Sequence, residues 1–236
     1  MTARMPLTLP ILSSQEMRLV TARQEAEQMI RREAPGSGTV NAFQGIHLVV
    51  LPGVIPPKAD TGLLFGSLPL APGTSLLDMG SGTGALAVAA ALAGARPVLA
   101  LDINPQARDN TALNARRLKV EAAVESRLSD GFSAVLPEER FDVIAANLPG
   151  RNQPAVDLVA AAQWDSGFRT HEAFFAEAPG HLKLGGQVIM VKANYPEIHQ
   201  ALGLAEAAGF TPRVLAEQAM PGKDPRTYYV LGFSLD

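Results

Sequence analysis

The sequence predicts an α/β fold. It has a mostly parallel sheet with helices on both faces, an antiparallel hairpin at the C-terminal edge and a helical arm in front. Three observations point there. From residue 74 onward, apolar strand segments alternate with helical ones. The strand segments, among them VLALD, FDVIAAN and QVIMVK, are almost continuously apolar, as strands covered on both faces must be. A run of glycines, Gly80, Gly82 and Gly84, sits where the first of these strands turns into a helix.

The elements follow in order. Ser13 or Ser14 caps a polar helix to about residue 33, whose thin apolar face is Met17, Val20, Gln24, Ala26, Met29 and Ile30. Ala34-Pro35-Gly36-Ser37-Gly38 breaks the chain. Residues 46–51 read as a strand, 52–57 as a stiff proline-rich link, and Thr61 opens a short helix to residue 68. Strands then fall at 75–78, 97–102, 123–128, 141–147 and 187–192, with helices at 84–94, 104–118, 172–184 and 196–208. The segments 213–217 and 227–234 have no helix between them and make the closing hairpin, for seven strands in all. The expected organisation is an N-terminal helical arm over 1–45 and a main domain over 46–236.

Composition narrows the chemistry. The 236 residues are 47% hydrophobic with a formal charge of −3, which disfavours a strong general affinity for nucleic acid. Cysteine is absent, so disulfides, iron–sulfur clusters, thiolate zinc sites and a cysteine nucleophile are excluded, and a reducing cytoplasmic setting fits. The four histidines are scattered without metal-ligand spacing, so no metal is expected. The most apolar stretch, 85–95, is about half the length that crosses a membrane, and no membrane partner is expected.

The densest signal is Asp78-Met79-Gly80-Ser81-Gly82-Thr83-Gly84. Glycines there admit positive φ and close approach of a ligand, and the helix beyond offers free N–H groups. Gly80-x-Gly82-x-x-Ala85 also fits a relaxed dinucleotide fingerprint, and Asp102 could bind a ribose in either case. Asp78 separates the two, because a carboxylate before the first glycine repels a pyrophosphate and suits an ammonium.

On these residues the chain resembles the class I S-adenosylmethionine (SAM)-dependent methyltransferases, with their Rossmann-like seven-stranded sheet. The resemblance implies that Asp78 organises the methionine end of SAM and that Gly80, Ser81 and Gly82 pack against the cofactor. It implies that Asp102, with Ile103 beside it, takes the ribose hydroxyls, and that Asp130-Gly131 meet the adenine. Asn147-Leu148-Pro149-Gly150 resembles the Asn-Pro-Pro-Tyr motif of amino-group methyltransferases, which implies that Asn147, Leu148 and Pro149 form the catalytic turn, that Asn147 and the Leu148 carbonyl accept hydrogen bonds from an acceptor –NH₂, and that Asn147 also borders the cofactor. Residues 54–64 resemble the segment before the first motif in the release-factor glutamine methyltransferases, which implies that Thr61 meets the cofactor's carboxylate end, that the arm over 1–45 covers substrate and that 46–236 is the catalytic domain.

The departures shape the expected acceptor. Leu148 replaces a proline and Gly150 replaces the aromatic that stacks on a planar substrate, so Trp164, Phe168 or Tyr195 would have to supply another face. Arg151 could meet an acidic substrate, and His171 could act as a base. These losses favour nitrogen methylation of a small molecule, with S-adenosylhomocysteine (SAH) as product. The alternatives are a protein glutamine or nucleobase amine, a small-molecule hydroxyl, an NAD(P)-dependent reductase, and a non-catalytic SAM-binding subunit. A protein or RNA substrate thus stays open as a partner.

Overall fold

The computed structural model describes residues 7–34 and 36–235. Pro35 of the predicted break, and the first six residues of the predicted arm, lie outside them. Helix α1 (Ser14–Arg32) starts at a capping box, with Ser13 Oγ accepting from the Glu16 N–H and the Glu16 carboxylate accepting from the Ser13 N–H. Its buried face is more polar than its sequence suggests. Val20, Gln24, Gln28 and Arg31 are buried, whereas Met29 and Ile30 are exposed.

A hairpin then forms from β1 (Thr39–Phe43), which sequence reading missed, and β2 (Ile46–Val50). Gln44 and Gly45 both take positive φ, the geometry that joins strands with a matching twist. Helix α2 (Ala59–Gly66) precedes the main sheet.

The sheet has seven strands: β3 (Leu76–Met79), β4 (Val98–Asp102), β5 (Val124–Leu128), β6 (Phe141–Ala146), β7 (Leu182–Ala193), β8 (Phe210–Ala219) and β9 (Thr227–Leu235). Their spatial order is β5-β4-β3-β6-β7-β9-β8, parallel except for β9, which runs antiparallel to both β7 and β8. Alternate residues of β3 feed two cores. Leu76 joins the cluster under α2, α3 (Ala85–Leu92) and α4 (Pro105–Arg117), and, past the short helix α5 (Leu158–Ala161), Leu77 joins the one under α6 (Arg169–Glu177) and α7 (Glu197–Ala207). Helices therefore cover both faces, as the apolar strands require.

Two boundaries differ from expectation. The predicted helix at 172–184 starts earlier, at Arg169, and leaves the α-helical path before Pro179. Strand β7 then begins at Leu182 and carries Gly185 and Gly186 inside it. A side chain at Gly186 would meet the Phe141 carbonyl oxygen at 2.8 Å, so the register shift between β6 and β7 needs glycine there.

The chain leaves β3 toward β4 and β5, then crosses to β6 on the other side. This makes a crevice outside the carboxyl ends of β3 and β6, where open α/β sheets bind ligands. Buried asparagines brace its rim. The Asn114 side chain donates to the carbonyls of Val49 (2.8 Å) and Thr83 (2.9 Å) and accepts from the Val49 N–H (2.9 Å). Asn110 makes a second pair of bonds to the same β2 edge, tying the hairpin to the glycine turn through α4. Asn114→Leu should lower unfolding free energy by about 1–3 kcal/mol, because it strands buried backbone groups. Chemical denaturation reads this, and an unchanged midpoint would refute the bracing role.

Candidate active site

The glycine turn is built by backbone geometry. Gly80, Gly82 and Gly84 all have positive φ, at 76°, 54° and 76°. A Cβ on Gly84 would lie 2.8 Å from Thr111 Cα, so this glycine lets α3 and α4 approach. Gly80 and Gly82 instead border open space: a Cβ on either would meet nothing nearer than 3.9 Å. They line a cavity of about 690 Å³, of the size that takes a cofactor or a drug-sized ligand.

Two acidic strand ends frame that turn. Asp78, third in β3, is buried, and its Oδ2 accepts from the Ala87 N–H at 3.2 Å. Burial pushes its carboxyl up to about 7, with that N–H acting against the shift and the nearby Asp102 adding to it. A desolvated carboxylate facing a cavity without a countercharge suits a cationic ligand group. Asp102 ends β4. Its Oδ2 accepts from the Gly82 N–H and its Oδ1 from the Asn104 N–H, each at 2.9 Å. Burial raises its carboxyl too, against those backbone bonds. Each oxygen keeps a second lone pair, enough for two neighbouring hydroxyls.

The remaining predicted cofactor residues converge on the same cavity. Thr61, Ser81, Ile103, Asp130 and Gly131 all line it. A Cβ at Gly131 would meet nothing within 4 Å, and its φ is +54°. The loop after β6 brings Asn147, Leu148 and Pro149 to the opposite wall. Asn147 Nδ2 donates to Asp60 Oδ2 at 3.2 Å, and Asp60 Oδ1 accepts from the Thr61 N–H at 2.8 Å. The carboxylate accepts only, so it holds the amide nitrogen on its own side and leaves the Asn147 oxygen as a free acceptor. Sequence reading missed Asp60, although it lies inside the segment that carried the resemblance.

The predicted substrate residues divide. Trp164 lines the cavity, its Nε1 donating to Gln24 on α1 at 3.1 Å. Arg151 is turned away, buried against Glu197 (3.4 Å) and Thr21 (3.2 Å). Phe168 and His171 are fully buried beneath the wall, their rings stacked at 4.0 Å, so neither stands where substrate would touch it. His171 Nδ1 lies 2.8 Å from Asp165 Oδ2, and its Nε2 lies 2.6 Å from Lys192 Nζ. Burial and the Lys192 charge push the His171 imidazole down to about 3, which keeps it neutral.

The vacancy left by Gly150 is filled from elsewhere. A Cβ at Gly150 would lie 3.0 Å from the Tyr195 ring, so the aromatic surface beside this loop comes from the turn after β7. Tyr228 and Arg226 line the cavity near it, with the Arg226 guanidinium 5.6 Å from the Tyr228 ring centroid. Helix α1 closes that side: Arg32 pairs with Asp157 at 2.8 Å, Lys58 with Glu27 at 2.7 Å, and Arg31 donates to the Val159 carbonyl at 2.9 Å. Among the described residues, no group of His, Asp and Glu side chains is placed to hold a metal ion, and no helix is long and apolar enough to cross a membrane.

A sheet of this order, with a glycine turn and acidic strand ends around one cavity, is the architecture of a class I SAM-dependent methyltransferase. Residues 67–151 match the ribosomal protein L11 methyltransferase family. The release factor glutamine methyltransferase of Cereibacter sphaeroides is 31% identical over 94% of this chain and 83% of its own length. That of Koribacter versatilis is 36% identical over 63% of this chain and 58% of its own. A 16S rRNA N2 methyltransferase of T. thermophilus, solved with AdoMet and guanosine, shares the fold at a TM-score of 0.64 and 23% identity, over 84% of this chain and 50% of that one. The chain belongs to the family of the release factor glutamine methyltransferases.

Asp78 yields a pH test. Its folded pKa lies above the unfolded value near 3.9, so ionising it opposes folding, and the stability it costs grows as pH rises from about 4 to about 7. In the ligand-free protein, Asp78→Asn should therefore be stabilising above neutrality and neutral at acid pH. Thermal melts across that window check this, and a pH-independent difference would contradict it.

Proposed function

We propose that the chain transfers the methyl group of SAM to the side-chain amide nitrogen of a glutamine in a protein. The observation that carries this reading is the Asn147 amide, which lines the cavity and whose nitrogen is held by Asp60, so that its oxygen is left as an acceptor for an –NH₂ group. The curated relatives are protein methyltransferases, which favours a protein amide over the small-molecule acceptor expected from the sequence.

SAM supplies a methyl group made electrophilic by its sulfonium. The residues present suit it. Asp78 offers a buried carboxylate to the methionine ammonium, Gly80 and Gly82 leave room along the turn, Asp102 keeps lone pairs for the ribose, and Asp130-Gly131 border the space left for the base. Thr61, which lines the same cavity, would meet the cofactor's carboxylate.

On the acceptor side, the Asn147 oxygen and the Leu148 carbonyl each take one amide N–H. Two acceptors in fixed positions set the nitrogen's orientation, so its lone pair is presented along one line, and orientation supplies much of the rate of a displacement. Leu148 in place of proline leaves that carbonyl available. Tyr195 gives the planar amide a face that Gly150 does not, and the pinning of α1 over Trp164 and Gln163 keeps water out.

The test is incubation with SAM and a release factor, followed by mass spectrometry of its peptides. One added methylene on a glutamine supports the reading, and methylation confined to amines of small molecules refutes it. Calorimetric titration of SAH, with NAD(H) as control, should show binding that Asp102→Ala weakens by about 1–3 kcal/mol. Binding of NAD(H) in its place would favour a reductase. Asn147→Ala and Asp60→Ala should lower kcat by about a hundredfold and leave SAH affinity in place. Equal losses of turnover and SAH affinity would contradict the orienting role.

A further inference from the structure

Three ionisable side chains that the acceptor and cofactor contacts do not use stand in a row under the cavity wall. Asp165 Oδ2 is 2.8 Å from His171 Nδ1, and His171 Nε2 is 2.6 Å from Lys192 Nζ. All three are at most 4% exposed. Such a string is costly to bury and needs a reason. Lys192 lines the same cavity as Asn147. It lies on β7, next to β6, two residues beyond the Met190–Ala146 pair, where β6 has given way to the Asn147 loop.

We propose that Lys192 is the base that receives the acceptor's proton during methyl transfer, with His171 and Asp165 holding it in place. The inference rests on the nitrogen-methyltransferase reading. The geometry sets the direction of each hydrogen bond. Asp165 accepts from the Thr170 N–H at 3.0 Å and from the His171 N–H at 3.2 Å, so it is held as a carboxylate and takes the Nδ1 proton of the ring. Nε2 is then an acceptor and orients Nζ. Phe168, stacked on the imidazole, fixes the ring plane.

The charged groups around Nζ are Asp165 from the loop before α6, neutral His171 from α6 and Glu197 from α7. Glu197 is itself paired with Arg151, and Tyr229 of β9 is the strand partner of Lys192. Burial lowers the Lys192 ammonium to about 7, against the attraction of Asp165 and Glu197, so an amine lone pair is available at neutrality. As the acceptor nitrogen bonds to the methyl carbon, the carbon–sulfur bond breaks with its electron pair on sulfur. One acceptor N–H bond breaks, and its proton goes to the lone pair of Nζ. Asp165 offsets the resulting ammonium through the histidine, and the proton leaves to water after product departs.

The test combines titration with turnover. In the wild-type chain, nitrogen-15 NMR of lysine Nζ should show Lys192 titrating near neutrality, at the pH where kcat rises. Lys192→Met should bind SAH as the wild type does, lose about a hundredfold or more in kcat, and lose that rising limb. Asp165→Asn, which removes the countercharge, should move the limb to lower pH, a shift that a purely structural role would not produce. Undiminished kcat in Lys192→Met, or a Lys192 that stays protonated while kcat rises, would overturn the assignment. Should a variant not fold, the wild-type NMR titration and rate profile decide alone. A wild-type chain that binds no SAH would instead overturn the methyltransferase reading itself.

Discussion

The site depends first on one carboxylate that does two jobs. Asp102 accepts the Gly82 N–H on one oxygen and the Asn104 N–H on the other, so it ties the glycine turn to the end of β4. Gly80, Gly82 and Gly84 of the turn are left-handed and have no side chains to hold them. The Leu101 carbonyl takes the Gly80 and Ser81 N–H groups and Asn114 holds the Thr83 carbonyl, while Asp102 fixes Gly82 between them. In the proposed reading the same carboxylate also keeps lone pairs for the ribose hydroxyls, so turn geometry and cofactor recognition would run through a single group.

The rest of the cavity is assembled by polar contacts over long sequence distances. Asp60, on the helix ahead of the sheet, orients Asn147 at its centre. Helix α1 is held over the Trp164 side by ion pairs and amide bonds, which is why Gln24 and Arg31 are buried and Met29 is not. Ion pairs of this exposed kind are individually weak.

Local signals read well from sequence because they act over a few residues. Strand alternation, a helix cap at Ser13 or Ser14 and the glycine turn each depend on immediate neighbours, and the structure has each of them, with Ser13 as the cap. The hairpin strand β1 was missed because TVNAF is short and only partly apolar, and its pairing with β2 stabilises it. Phe168 and His171 looked like substrate residues from their place after the fourth parallel strand. Their burial under the wall follows from the path of the loop, which sequence periodicity does not encode. The loss of an aromatic at Gly150 read as a missing platform, whereas Tyr195 occupies that space from the next strand's turn.

The amino-acid sequence alone determined the fold class, the catalytic family and the two carboxylates at the strand ends. Apolar periodicity, backbone φ preferences and a contiguous motif are properties of neighbouring residues. Only the tertiary structure decided which side chains face one another across the cavity. Asp60 meets Asn147 from 87 positions away, and Lys192 meets His171 from a different layer of the fold. A lysine at the end of an apolar strand carries no local sign of its partner. Its environment is set by what the packed helices place against it, and that desolvation determines its chemistry.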